Sequence, residues 1–137
     1  MSVWEHLGRL DNLSMSIFGV VIIAIAAPLA AGYDEMFDKM DIDKILANDA
    51  LFTEYVECFV DKGPCKAELA VEFKKIIPEI IKEACEKCTT VQKSNVRKFI
   101  NAMYKRIPHK AIALHLKHDP TGEHEPKFLA FLHAKDD

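Results

Sequence analysis

An all-α domain of about six short amphipathic helices, tied by two local disulfides, is predicted by three features of the sequence. Apolar residues recur at helical spacing through most of the chain after Gly32, and no run there alternates with the two-residue period of a strand. All four cysteines fall between Cys58 and Cys88, on either side of a helical apolar pattern. Further upstream, Ile17 to Ala27 (IFGVVIIAIAA) is an apolar run that passes through Pro28 into small residues. That is the pattern of a cleaved leader, too short and too interrupted for a membrane span.

The leader sets the boundaries. Ala30 and Gly32 place small residues at the two recognition positions of a cut before Tyr33, and a cut after Ala26 is the alternative. Glu5 and Asp11 against Arg9 make a poor positively charged start, so Met15 is a second candidate initiator. The expected organisation is a signal peptide over residues 1–32 and one helical domain over 33–137, with nothing left in the membrane after cleavage. A formal net charge of -3 over 137 residues carries no signature of a nucleic-acid partner.

Tyr33 to Met40 is acidic and aperiodic, which predicts an extended arm laying Met36, Phe37 and Met40 on the core surface. Asp41 or Asp43 caps a short helix through Leu46, and Asn48 or Asp49 caps the next. In that next helix Leu51, Phe52, Tyr55, Val56, Phe59 and Val60 form a wide apolar stripe opposite Thr53, Glu54, Glu57 and Asp61. Gly63 is the expected C-terminal stop. From Ala67 to Ala84 the apolar set Leu69, Phe73, Ile76, Ile77, Ile80, Ile81 keeps helical phase through Pro78, predicting a kink or two collinear pieces. Thr89 with Gln92 is a capping box, followed by Val91, Val96, Phe99, Ile100, Met103, Tyr104 and Ile107 until Pro108 ends the run. His109 to Lys117 reads as a shorter helix without one tidy stripe. Asp119-Pro120-Thr121-Gly122 is a turn, and Pro126 opens a last helix carrying Phe128, Leu129, Phe131 and Leu132.

Four cysteines allow three connectivities, and sequence alone does not choose among them. Neighbour pairing asks only for local geometry that both segments offer. Gly63-Pro64 can turn the chain between Cys58 and Cys65, while Cys85 and Cys88 at helical spacing share a face. In an oxidising compartment we therefore expect Cys58–Cys65 and Cys85–Cys88. Zinc is the intracellular alternative, weakened because only Cys85 and Cys88 form a close pair.

The spacing Cys-x6-Cys-x19-Cys-x2-Cys, with Tyr33-Asp34, Asp41 to Asp49 (DIDKILAND), Tyr55-Val56-Glu57-Cys58, Asp61 to Cys65 (DKGPC) and Asp119 to Glu123 (DPTGE), resembles the insect chemosensory protein family, the OS-D or pheromone-binding A10 type. The resemblance covers nearly all of the chain after the leader. It implies a small secreted protein of six short helices, neighbour-paired disulfides and an internal apolar channel for long-chain semiochemicals, fatty acids or related lipids. Two positions depart from the family pattern. Ala111 stands where members usually carry a tryptophan after the proline, and His118 and His124 replace the tyrosines that flank the Asp-Pro-Thr-Gly turn; losing an aromatic at 111 should enlarge or open one end of a cavity.

No phosphate loop, Gly-x-Ser-x-Gly or His-Glu-x-x-His occurs, so the residues assemble no enzyme, and no cofactor is expected. His115, His118, Asp119, Glu123 and His124 are read as exposed surface, and no metal site is expected there. Asp38, Asp41 and Asp43 are read as helix caps and solvated surface. What stands out is the quantity of large apolar side chains, which either fill a solid core or line a hole; periodicity does not separate the two, and interiors are normally filled. The resemblance favours the hole. Its walls would then be Tyr55, Val56 and Phe59, then Phe73, Ile77 and Ile80, then Phe99, Ile100, Met103 and Tyr104, with Ile45, Leu46, Val91 and Ile112 around them and Tyr33, Tyr55 and Tyr104 as polar groups. The expected function is a secreted, monomeric carrier of a small hydrophobic ligand. The alternative is a secreted structural or signalling interaction protein with a filled core.

Overall fold

The computed structural model describes residues 32–136, so the leader expected over residues 1–32, apart from Gly32, lies outside the described residues. A 3-10 helix, Glu35–Lys39, precedes six α-helices: α1 (Ile42–Ala47), α2 (Asp49–Phe59), α3 (Ala70–Glu83), α4 (Thr90–Arg106), α5 (Pro108–His118) and α6 (Glu125–His133). There is no strand among the described residues, and no helix among them is long and apolar enough to cross a membrane. Both predicted disulfides are present, Cys58–Cys65 with Cα atoms 4.9 Å apart and Cys85–Cys88 with Cα atoms 5.1 Å apart.

The longest helix, α4, packs against the 3-10 helix, α1, α5 and α6, and its aromatic face meets α2. Its start is fixed by the predicted capping box: the Thr89 hydroxyl accepts the Gln92 N–H (3.1 Å) and the Gln92 side chain accepts the Thr89 N–H (3.0 Å). Gln92 is buried, and its Nε2 donates to the carbonyls of Tyr33 (3.3 Å) and Asp34 (3.0 Å). One amide thus starts the helix and holds the N-terminal segment. Asp41 and Asn48 cap α1 and α2, each accepting an N–H three residues on at 3.1 Å.

Several local expectations are corrected. The segment before α1 is no extended arm: Asp34 accepts the Met36 N–H at 2.9 Å and turns residues 35–39 into a 3-10 helix that buries Phe37. Gly63 is not the stop of α2, which ends at Phe59; the left-handed residue is Asp61 (φ 61°), and the N–H groups of Lys62 and Gly63 both donate to the Glu57 carbonyl. Gly63 serves close approach instead, since a Cβ there would come within 2.9 Å of the Glu57 Cβ. The third helix starts at Ala70, after a left-handed Leu69, and runs unbroken through Pro78, because Phe73, Ile77, Ile80 and Ile81 bury on both sides of the missing N–H. It ends on two left-handed residues, Ala84 and Cys85, whose N–H groups both reach the Ile80 carbonyl.

Because Gln92 serves two carbonyls and a helix cap from a buried position, Gln92→Leu should lower unfolding free energy by about 1–3 kcal/mol, the cost of leaving buried polar groups unpaired. Chemical denaturation measures it, and hydrogen exchange should show early loss of protection at Phe37 and Gln92. Unchanged exchange there would show that the arm is held by Phe37 packing alone.

Candidate functional site

The stripes predicted on α2, α3 and α4 do converge. Phe59 stacks on Phe73 (centroids 5.8 Å, planes 25° apart), and Phe99 sits edge-on to Phe52 and Phe59 at 5.3 and 5.5 Å. Tyr55 lies 6.1 Å from Phe59 and 6.3 Å from Phe99, and Phe37 closes on Phe73 at 5.7 Å. Val56 and Met103 are fully shielded, and Ile45, Ile77, Ile80 and Ile100 are buried beside them. Leu46 and Tyr104 are half-buried against this core. These side chains pack against one another in the space between the three helices.

Three of the fifteen predicted lining residues stand elsewhere. Val91 is 47% exposed and Ile112 is 50% exposed, both on outward helix faces where they line no interior. Tyr33 is half-buried beside Glu79 and Lys87, its N–H donating to the Lys87 carbonyl at 3.3 Å. Nor are His115 and Asp119 surface residues, as expected from sequence: they are 7% and 2% exposed. Asp41 is a cap as read, while Asp38 accepts the Thr89 hydroxyl (2.9 Å) and Asp43 pairs with Lys98 (3.3 Å). No group of three metal-ligating side chains gathers among the described residues.

Two of the spaces beside the core are bounded by residues predicted as walls. The larger is a cleft of about 240 Å³ between the 3-10 helix, α1 and α2, bounded by Lys39, Met40, Asp41, Lys44, Ile45, Leu51, Tyr55 and Glu68. Its floor is the Tyr55 ring, whose hydroxyl donates to the Glu68 carbonyl at 2.6 Å and so fastens α2 to the loop before α3. The smaller is a pocket of about 10 Å³ between α3, α4, α5 and α6, bounded by Ile81, Ile100, Met103, Tyr104, Ala111, Leu114, His115 and Phe128. Ala111 is one of its walls.

Burial raises the hydroxyl pKa of Tyr33, Tyr55 and Tyr104, with further increases from Glu79 at Tyr33, Glu68 and Glu54 at Tyr55, and Glu125 at Tyr104. All three therefore stay neutral donors at any physiological pH. Sequence reading missed Lys39, Lys44 and Glu68 at the cleft, which no periodicity marks. It also missed His115, whose signal was present: Ala111, Leu114, His115 and His118 recur at i, i+3, i+4 and i+7, a helical stripe with imidazoles in apolar places.

A carbon-lined helical interior pinned at its corners by two local disulfides defines a small all-α domain. Residues 33–126 match the insect pheromone-binding family A10/OS-D, and the chain belongs to that family, whose members bind and do not catalyse. It is 34% identical to ejaculatory bulb-specific protein 3 of Drosophila melanogaster over 122 residues, 89% of this chain and 93% of that one. Among solved structures, a chemosensory protein in complex with bromo-dodecanol superposes with a TM-score of 0.61 at 31% identity, covering 70% of this chain and 95% of that one. Antennal chemosensory protein A6 from the moth Mamestra brassicae gives 0.59 at 30% identity over 73% and 92%.

Tyr55→Phe should remove the fastening at the cleft floor while keeping the ring contacts, at a cost of about 0.5–1.5 kcal/mol in denaturant titration. Binding of a fluorescent apolar probe should become faster in stopped flow. An unchanged association rate would show that entry does not pass the cleft.

Proposed function

We propose that this chain is a secreted, monomeric carrier that takes up one long-chain apolar molecule, an alcohol, fatty acid or related lipid, between α2, α3 and α4, with no bond made or broken. The observation that carries it is the meeting of three carbon-walled helix faces beneath a cleft whose floor is held by a single hydroxyl hydrogen bond. Family membership and the relative solved with bromo-dodecanol support it. Each methylene withdrawn from water contributes about 0.8 kcal/mol, so a chain of about a dozen carbons brings enough gross free energy to part packed rings and still bind. Entry then separates side chains that now touch one another.

The filled interior favours a second reading, a secreted interaction protein whose core takes nothing. Saturable displacement of a fluorescent apolar probe by C12 to C18 alcohols or acids separates the two. The carrier should also gain about 2.7 kcal/mol of unfolding free energy at a hundredfold excess of ligand over Kd. Val56→Trp and Ile100→Trp place an indole where the ligand chain goes, and each should abolish displacement. If the wild type shows no saturable displacement and both variants lose about 1–3 kcal/mol by overpacking, the core is solid and the interaction reading replaces the carrier.

Secretion is tested separately. Protein recovered from the medium of insect cells expressing the full chain should begin at or near Tyr33 by N-terminal sequencing. Intact Met1 in a membrane fraction would show that the apolar run is an anchor.

A further inference from the structure

His115 is buried among carbon at the wall of the small pocket, its ring 5.8 Å from that of Phe128, and neither ring nitrogen has a hydrogen-bond partner. The Asp119 carboxylate stands one turn on, with Oδ2 at 3.4 Å from Nε2 but outside hydrogen-bonding geometry. Asp119 is itself buried, and the same Oδ2 accepts the His124 N–H at 3.1 Å. A polar side chain left unpaired in an apolar place is costly, so it needs a reason other than packing. Attraction to the Asp119 carboxylate favours the proton on Nε2, which leaves Nδ1 as a lone-pair acceptor. The pocket beside this imidazole, about 10 Å³, has room for one water-sized group. Its other walls are side chains that give way: Ala111 is short, and Met103 is unbranched and adaptable.

We propose that His115, oriented by Asp119, is the head-group anchor of the ligand site, and that it selects a long-chain molecule ending in a hydroxyl. This rests on the carrier reading above and adds the ligand class. An acceptor nitrogen in an otherwise carbon-lined pocket rewards a donor, which a primary alcohol has and an ether, ester or aldehyde of the same length lacks. A fatty carboxylate offers no proton and would meet the Asp119 charge. The hydroxyl would fill the pocket at His115, and the chain would run past Ile100 and Met103 toward the rings of α2 and α3.

The test uses protein secreted from the full chain, a fluorescent apolar probe, and two isomeric competitors of matched length, 1-dodecanol and undecyl methyl ether. The wild type should prefer the alcohol by about tenfold, roughly one net hydrogen bond. His115→Leu should lose the preference, so that alcohol and ether compete equally, and His115→Gln, which keeps an acceptor, should retain part of it. In 15N-histidine-labelled wild type, 1-dodecanol should move the Nδ1 resonance of His115 and the ether should not; this readout needs no variant to fold. Equal competition by alcohol and ether, an undiminished preference in a folded His115→Leu, or an unmoved Nδ1 resonance would each overturn the anchor while leaving the carrier intact. If neither competitor displaces the probe, the carrier reading itself fails and the anchor with it.

Discussion

The fold depends on one cluster of rings. Phe99 of α4 receives Phe52, Tyr55 and Phe59 of α2, Phe59 stacks on Phe73 of α3, and Phe37 of the 3-10 helix closes on Phe73 from the other side. Each such pair contributes about 0.5–1.5 kcal/mol beyond the area it buries. Their larger effect is geometric, because offset and edge-on rings fix the angle at which helices approach. The outer rim is finished by Arg106, whose guanidinium lies over the Phe52 ring at 5.0 Å and donates to the Leu46 carbonyl at 2.8 Å, joining α1, α2 and α4.

Around this cluster the corners are held locally. The chain between α2 and α3 uses a left-handed Asp61, the close approach of Gly63 to Glu57, and the Cys58–Cys65 ring, while Lys74 of α3 and Lys117 of α5 both pair with the Asp61 carboxylate. Those ion pairs are half-exposed and contribute little, so the backbone and the disulfide set the corner. Between α3 and α4, two consecutive residues with side chains, Ala84 and Cys85, sit in the left-handed region at a cost of roughly 1–2 kcal/mol each. The three-residue separation of Cys85 and Cys88 pins that turn, and a ring this small restricts the unfolded chain by about 2 kcal/mol, enough to offset much of the strain.

Sequence made the class, the helices and both bridges legible, since helical spacing, capping residues and cysteine neighbours are all local signals. The capping box at Thr89 and Gln92 was readable as a start of α4, but the second use of Gln92, donating to Tyr33 and Asp34, was not, because it joins residues far apart in the chain. Asp34 was an equally local signal that went unread, and so the 3-10 helix was missed. Gly63 misled because a glycine after a helix usually marks its end, whereas here close packing on Glu57 requires it. On α5 sequence reading makes Ile112 a wall and His115 surface, whereas Ile112 is exposed and His115 is buried beside Ala111 and Leu114; hydrophobicity alone misplaces the face of a helix that buries an imidazole. The buried faces of α2, α3 and α4 were legible as apolar stripes. How closely they touch was not, because periodicity reports which face turns inward and says nothing of the space left there.

How a filled interior can serve a carrier follows from where the covalent ties lie. Cys58–Cys65 joins α2 to its own following loop, and Cys85–Cys88 lies within the turn between α3 and α4, so neither bridge clamps one helix to another across the core. Across their buried faces α2, α3 and α4 meet through ring and aliphatic contacts, with Arg106 of α4 over Phe52 and 3.8 Å from the Asp49 carboxylate of α2 at the rim. On the carrier reading, parting these faces costs that contact, the Tyr55 hydroxyl bond at the cleft and the Arg106 contacts at the rim. Affinity is then lowered by whatever fraction of molecules is open at a given moment, and a ligand that adds a polar bond inside recovers part of that loss. That gives an unpaired buried imidazole a physical use: in a protein whose walls offer any apolar chain the same welcome, it is the group positioned to tell one chain end from another.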